Sequence, residues 1–239
     1  MTEQEWLNCT DPKPMLDFLR GKASNRKLRL FACGCCRPGW RSISEVFQEA
    51  IRVAENHADG RATDVELGAA VRSAHRVRRK RNFLERAVYD AARSAGDALG
   101  VAHNVARAFA FEAAPNPSPT HISRVVDDQF VMEEVPPNAA RLAWNTAYAS
   151  FLRLESSFLR DIFGSLPFCP LLLDPTWRTP TVVELAQAIY DNRAFDRMPE
   201  LADALQAAGC DNDEILSHCR GPGLHVRGCW VVDLVLGKA

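Results

Sequence analysis

Apolar residues recur at helical spacing along almost the whole of this chain. Ile43, Val46, Phe47, Ala50, Ile51 and Ala54 lie on one stripe of an amphipathic helix that runs up to Gly60. Before it, Met15, Leu16 and Leu19 lead to a break at Gly21. Leu28, Leu30, Phe31, Ala32 and Cys35 then form an apolar helical run that Pro38 and Gly39 end. Ser42 with Glu45, and Thr63 with Glu66, have the spacing of a capping box, in which each side chain satisfies an orphan amide of the other's turn. From Thr63 an Ala- and Arg-rich helical stretch is expected to reach about Ala95, with Leu84, Ala87, Val88 and Ala91 on one face. Another helix carries Leu99, Ala102, Val105, Ala106 and Phe109.

The segment from Pro115 to Pro119 interrupts this pattern, because proline lacks an amide donor and restricts the residue before it. Residues 115–137 therefore read as a proline-containing linker, with Ile122 to Val135 as an irregular loop or short helix. Pro136, Pro137 and Asn138 introduce a long helix through Trp144, Tyr148, Phe151, Leu152 and Leu159 toward Gly164. A second break, GSLPFCPLLLDPTW, with PLLLD as a candidate extended piece, precedes a group of short helices. Thr179 and Pro180 cap the first, which carries Val183, Leu185, Ala186 and Ile189. Asp196 opens the next, with Leu201, Ala204 and Leu205, and Gly209 closes it. Asp211 and Glu214 form one more cap pair, and the last helix is expected from near His225 to Leu236. No segment alternates convincingly at period two, and no repeat of fixed period is found. The expectation is an all-α fold, a multi-helix bundle or array with a compact C-terminal group of short helices. Residues 1–114 and 138–239 form two helical regions docked as one globule.

Composition agrees with a large buried core: of 239 residues, 47% are hydrophobic and 25% charged. Twenty-nine basic against thirty acidic side chains leave a net charge of −1, so no global field draws the chain to nucleic acid or an anionic membrane. The first residues lack the basic-then-apolar plan of a secretory signal and no apolar run approaches a membrane span, so a cytoplasmic protein is expected. In that setting the eight cysteines are expected to be reduced, with Cys9, Cys169 and Cys210 serving as small core hydrophobes.

Two clusters offer chemistry. If the last helix starts at His225, then His225, Cys229 and Asp233 share one face at i, i+4 and i+8. Zinc favours imidazole and thiolate in a tetrahedron, and two ligands four apart suit one ion. A third at i+8 is hard to bring in, and a further ligand would come from His218 or Cys219. The other cluster is CGCC, where Cys33 and Cys36 have the C-x-x-C spacing of zinc knuckles and redox centres and Arg37 stands close enough to depress a thiol pKa. Meeting across the fold, Cys33, Cys36, His225 and Cys229 would make a Cys₃His zinc site. The competing reading of both clusters is core packing, since neither follows a redox or zinc-finger context.

The basic run Arg72, Arg76, Arg78, Arg79, Lys80, Arg81 and Arg86 is a candidate nucleic-acid surface. With no aromatic platform and a neutral overall balance, a solvated face paired with Asp64, Glu66, Glu85 and Asp90 is the favoured reading. There is no G-x-S-x-G elbow, P-loop, dinucleotide fingerprint or H-E-x-x-H. The reading that remains is a helical module that binds a protein partner, against a metal- or thiol-dependent enzyme built on the Cys/His clusters.

Three segments carry a resemblance. EWLNCTDPKPML with LRLFACGCCR near the start, LRDIFG in the middle, and HCRGPGLHVRGCWVVDLVLGK at the end are similar to a bacterial family that recurs as many paralogues in large genomes. The likeness covers about half the chain. That family has no established activity, so the resemblance gives no residue a role; it implies a multiplied protein of regulatory or interaction type.

Overall fold

The computed structural model describes residues 1–79, 82–114, 121–126, 129–134, 138–164, 167–168 and 171–238. Its class is all-α, with twelve α-helices among the described residues. In order these are α1 (Glu3–Asn8), α2 (Pro12–Leu19), α3 (Asn25–Cys36), α4 (Glu45–Ala58), α5 (Asp64–Val77), α6 (Phe83–Arg93), α7 (Ala98–Ala113), α8 (Ala139–Phe163), α9 (Pro180–Asn192), α10 (Met198–Ala207), α11 (Asp213–Arg220) and α12 (Trp230–Leu236). Among the described residues one antiparallel hairpin, β1 (His121–Val126) with β2 (Gln129–Glu134), stands between α7 and α8, pairing His121 with Glu134 and Val126 with Gln129. A loop or short helix had been expected there; the rest of the proline linker lies outside the described residues.

Several starts form as their residues dictate. Thr63 and Glu66 close a full capping box on α5, Asn138 caps α8 through the Arg141 amide, and Thr179 caps α9 with Pro180 in its first turn. Other starts differ. Ser42 is used up by a 3-10 turn (Arg37–Ser42), so α4 begins after Ser44, and Asn212 caps α11 in place of Asp211. The Ala- and Arg-rich stretch is two helices, because the chain leaves α5 after Val77 and Asn82 caps α6.

Two apolar clusters organise the molecule. The first gathers α1 to α8 around α3, whose Phe31, Ala32, Cys33, Cys35 and Cys36 are all buried in it. The buried part of α8 (Phe158, Leu159, Ile162, Phe163) belongs to this cluster, although α8 follows the linker in sequence. The second is built by α9 to α12, with Tyr190, Leu201, Leu205, Trp230 and Val232 at its centre. Between them lies a buried ionic layer. Asp233 of α12 accepts from Arg26 Nη1 and Nη2 at 2.7 and 2.9 Å, and Asp59 accepts from Arg26, Tyr190 and Arg227. Glu55 is held by Arg37 and by Arg193. Lys27 donates to the Ile162 carbonyl at 2.7 Å and lies 3.5 Å from Asp233, which ties the last turn of α8 to α12. Such pairs are strongly destabilising to break singly, since the partner is left as a buried uncompensated charge.

Two glycines let the clusters approach. Gly164 ends α8 at φ +52°, and a Cβ there would stand 2.8 Å from the Trp230 indole. Gly228, at φ +98°, brings the chain against Leu30 of α3. No helix among the described residues is long and apolar enough to cross a membrane.

Candidate metal centre

The last turn of α8, the end of α11 and the turn before α12 converge on one point. Asp161, His218, His225 and Cys229 each direct one donor atom there, and these four atoms all lie within 4.8 Å of one another. Asp161 Oδ1 is 2.6 Å from His225 Nδ1 and 3.2 Å from His218 Nε2. Cys229 Sγ is 3.3 Å from His218 Nε2 and 3.7 Å from His225 Nδ1.

Local chemistry explains the convergence. Gly164 stops α8 just after Asp161, and Gly221-Pro222-Gly223 stops α11 just after His218. The chain then turns so that the Val226 amide donates to Asp161 Oδ2 at 2.8 Å, which fixes the carboxylate plane. The Cys229 amide donates to the Val226 carbonyl, closing the turn, and Val226 itself packs into the first cluster. The His218 ring rests 5.1 Å from that of Trp230. The last helix therefore starts at Trp230 with Cys229 as its N-cap, not near His225. His225 and Cys229 meet through a turn, and Asp233, expected on their face, serves the Arg26 and Lys27 layer instead.

The electrostatics suit a cation. Burial works to raise the Asp161 carboxyl, but the hydrogen bonds and charges of His218 and His225 outweigh it and hold its pKa below the ordinary carboxylate value. Burial first, then the Asp161 charge, drive the Cys229 thiol well above its usual value. A fully buried thiol of that kind is no free nucleophile; a metal ion is what would make it a thiolate.

The donor set and spacing fit zinc. Bonds of zinc to imidazole, carboxylate and thiolate place tetrahedral ligand atoms about 3.3–3.8 Å apart. The His218–Cys229, His225–Cys229 and His218–Asp161 separations are already at or near that range. The 2.6 Å Asp161–His225 pair must open, by about 0.7 Å, as a hydrogen bond gives way to two metal bonds, and the widest separation in the group, up to 4.8 Å, must close by about 1 Å. His218, whose side chain is 20% exposed, is the open edge of the group, and the other three are almost wholly covered. Clefts of about 230 and 420 Å³ flank it, both lined by Arg160, Ser217 and His218.

The structure thus gathers His225 and Cys229 with His218, one of the two further ligands expected, and adds Asp161; Cys33 and Cys36 are not in the group. The face of α3 turned to the 226–229 turn carries Leu30 and Gly34, whose neighbours there are Gly228 and Val226. Cys33 and Cys36 project elsewhere on the helix, into the first cluster. Arg37, expected to lower a thiol pKa, is occupied by Glu55, and burial pushes Cys33 up to about 12. Cys219 is buried in the second cluster beside Cys229 and is not one of the four donors. The seven described cysteines are free thiols; Cys210 is buried as expected, Cys9 only partly, and Cys169 lies outside the described residues.

Asp161 was missed, yet the sequence carries a trace of it. In SSFLRDIFG it is the acidic residue amid Phe158, Leu159, Ile162 and Phe163, all buried, and a carboxylate on such a face needs a partner. The arginine run is dispersed: Arg79 pairs with Glu85, Arg86 with Asp90, and Arg78 lies over Tyr89, while Arg72 and Arg76 stay on α5. Lys80 and Arg81 lie outside the described residues. Comparison with protein-family models, with curated proteins and with solved structures returns no match.

Proposed function

We propose that this chain is a zinc-stabilised helical module that works by binding a partner, with one ion held by Asp161, His218, His225 and Cys229. The convergence of four donor atoms within 4.8 Å from three separate segments carries this reading. Four protein ligands complete a tetrahedron, the arrangement of a structural site; a catalytic zinc keeps a position for water. The ion would clamp the second cluster to the end of α8, a task that the buried ionic layer shares. Free thiols, near-zero net charge and the absence of any catalytic template support a cytoplasmic interaction or regulatory protein with a protein partner. The test is zinc content of freshly purified untagged protein beside Cys229→Ser and His225→Ala. About one zinc per chain, lost in both variants, is expected. Wild-type protein that takes up no zinc from a micromolar buffered supply would sink the reading.

A second reading rests on His218. It is the most exposed ligand, and Arg160 stands beside it in both clefts. Were His218 to yield its position to a substrate oxygen, the site would be that of a metal-dependent enzyme. Cobalt substitution separates the two: a four-coordinate spectrum unchanged by added anions supports the clamp, and one that shifts on anion binding supports the open site.

A further inference from the structure

We propose that a cavity at the N-terminal half of α3, walled by Arg26, Arg29, His57 and Arg93, binds the phosphoryl group of a small phosphorylated molecule. The cavity measures about 480 Å³, large enough for a ligand of nucleotide size, and Asn25, Ala58, Ser94, Ala95 and Gly96 complete its wall. Four of its nine lining residues are arginine or histidine and none is acidic, in a chain whose charges otherwise cancel.

The cations differ in how far the protein already satisfies them. Arg26 is taken by Asp59, Asp233 and Tyr190, and His57 by Asp64 at the rim. Arg29 has no carboxylate partner among the described residues. Its Nη1 is pinned to the Ala92 carbonyl at 2.6 Å, which fixes the guanidinium at the end of α6, and among the described residues no acceptor meets its Nε or Nη2. The charge is half-buried, and that desolvation pulls its pKa down. Arg93 lies over the Tyr89 ring and likewise has no carboxylate partner among the described residues. A fixed guanidinium with its donor fork unused, and a second one near it, match the tripod of phosphoryl oxygens better than a flexible ammonium would. The Asn25 amide, in the first turn of α3, adds a donor at the same wall.

The cavity shares no residue with Asp161, His218, His225 or Cys229, so the proposal stands apart from the zinc reading. Calorimetric titration of the purified chain with pyrophosphate and with inorganic phosphate, at ionic strength held constant with sodium chloride, tests it. Saturable binding at one site per chain is expected, weakened roughly tenfold or more in Arg29→Ala and in Arg93→Ala. Arg93 is exposed and caps nothing, so its variant keeps the fold even if loss of Arg29 loosens the end of α6. Tighter binding of pyrophosphate than of phosphate marks a phosphorylated ligand, and binding of phosphate alone marks the free ion as the occupant. No saturable heat up to millimolar concentrations, or equal affinity in wild type and Arg93→Ala, overturns the proposal.

Discussion

Helix α8 carries two buried carboxylates, Glu155 and Asp161, each near cysteines, and the protein treats them in opposite ways. Asp161 receives two imidazoles and a backbone amide, and its pKa is held down. Glu155 stands near Cys35 and Cys36 with neither oxygen hydrogen-bonded, and burial lifts its pKa well above the usual value. Burial is the same in both places, at 1% and 4% exposure. The difference lies in whether the neighbours can share a charge. Thiols on an apolar helix cannot, whereas two histidines can, so Asp161 marks a centre for a cation and Glu155 a core in which a proton is retained.

The strongest way to break this comparison is to remove a ligand. Cys229→Ser keeps the volume but weakens the metal bond. At free zinc a thousandfold above its dissociation constant, bound zinc contributes about 4 kcal/mol, so the variant and chelated wild type should lose that much in urea unfolding. Cys36→Ser, equally buried, should keep its zinc and lose only about 1–3 kcal/mol for a hydroxyl placed in an apolar cluster. Equal zinc content in the two variants would erase the distinction between the regions.

A smaller effect is expected from Asp233, which the spacing of the C-terminal segment had put beside His225 and Cys229. In the structure it balances Arg26 and Lys27, so Asp233→Asn should cost about 3 kcal/mol while zinc content stays unchanged. Loss of zinc in this variant would return Asp233 to the centre.

That reassignment shows what was legible in the sequence. Apolar periodicity gave the helical class, and Thr63 with Glu66, Asn138, and Thr179 with Pro180 marked helix starts because those signals act within one turn. His225, Cys229 and His218 could be named as donors, but the register of the last helix was wrong by about one turn. Gly221, Pro222, Gly223 and Gly228 were turn signals competing with the apolar pattern, and the turn won. The fourth donor was beyond local reading, since Asp161 meets His225 only through a contact 64 residues apart. The same holds for Cys33 and Cys36: spacing placed them on a helix, while the choice between a site and a core depended on which elements covered each face.

Glu155 gives the smallest effect and the most direct test of the comparison. A carboxyl whose folded pKa is raised binds its proton more tightly in the native state than in the unfolded one. Between the unfolded value of 4.5 and the raised folded value the native state therefore holds more protons, and stability falls as pH rises through that window. The slope reaches at most about 1.4 kcal/mol per pH unit. Glu155→Gln has nothing to ionise, so it should flatten this slope and gain about 1–2 kcal/mol at neutral pH, where the wild type must either hold a proton or bury a charge. Urea unfolding of both proteins between pH 4.5 and 8 measures it. Parallel curves would mean that Glu155 finds a partner for its charge after all, and the contrast with Asp161 would then rest on the histidines' geometry alone.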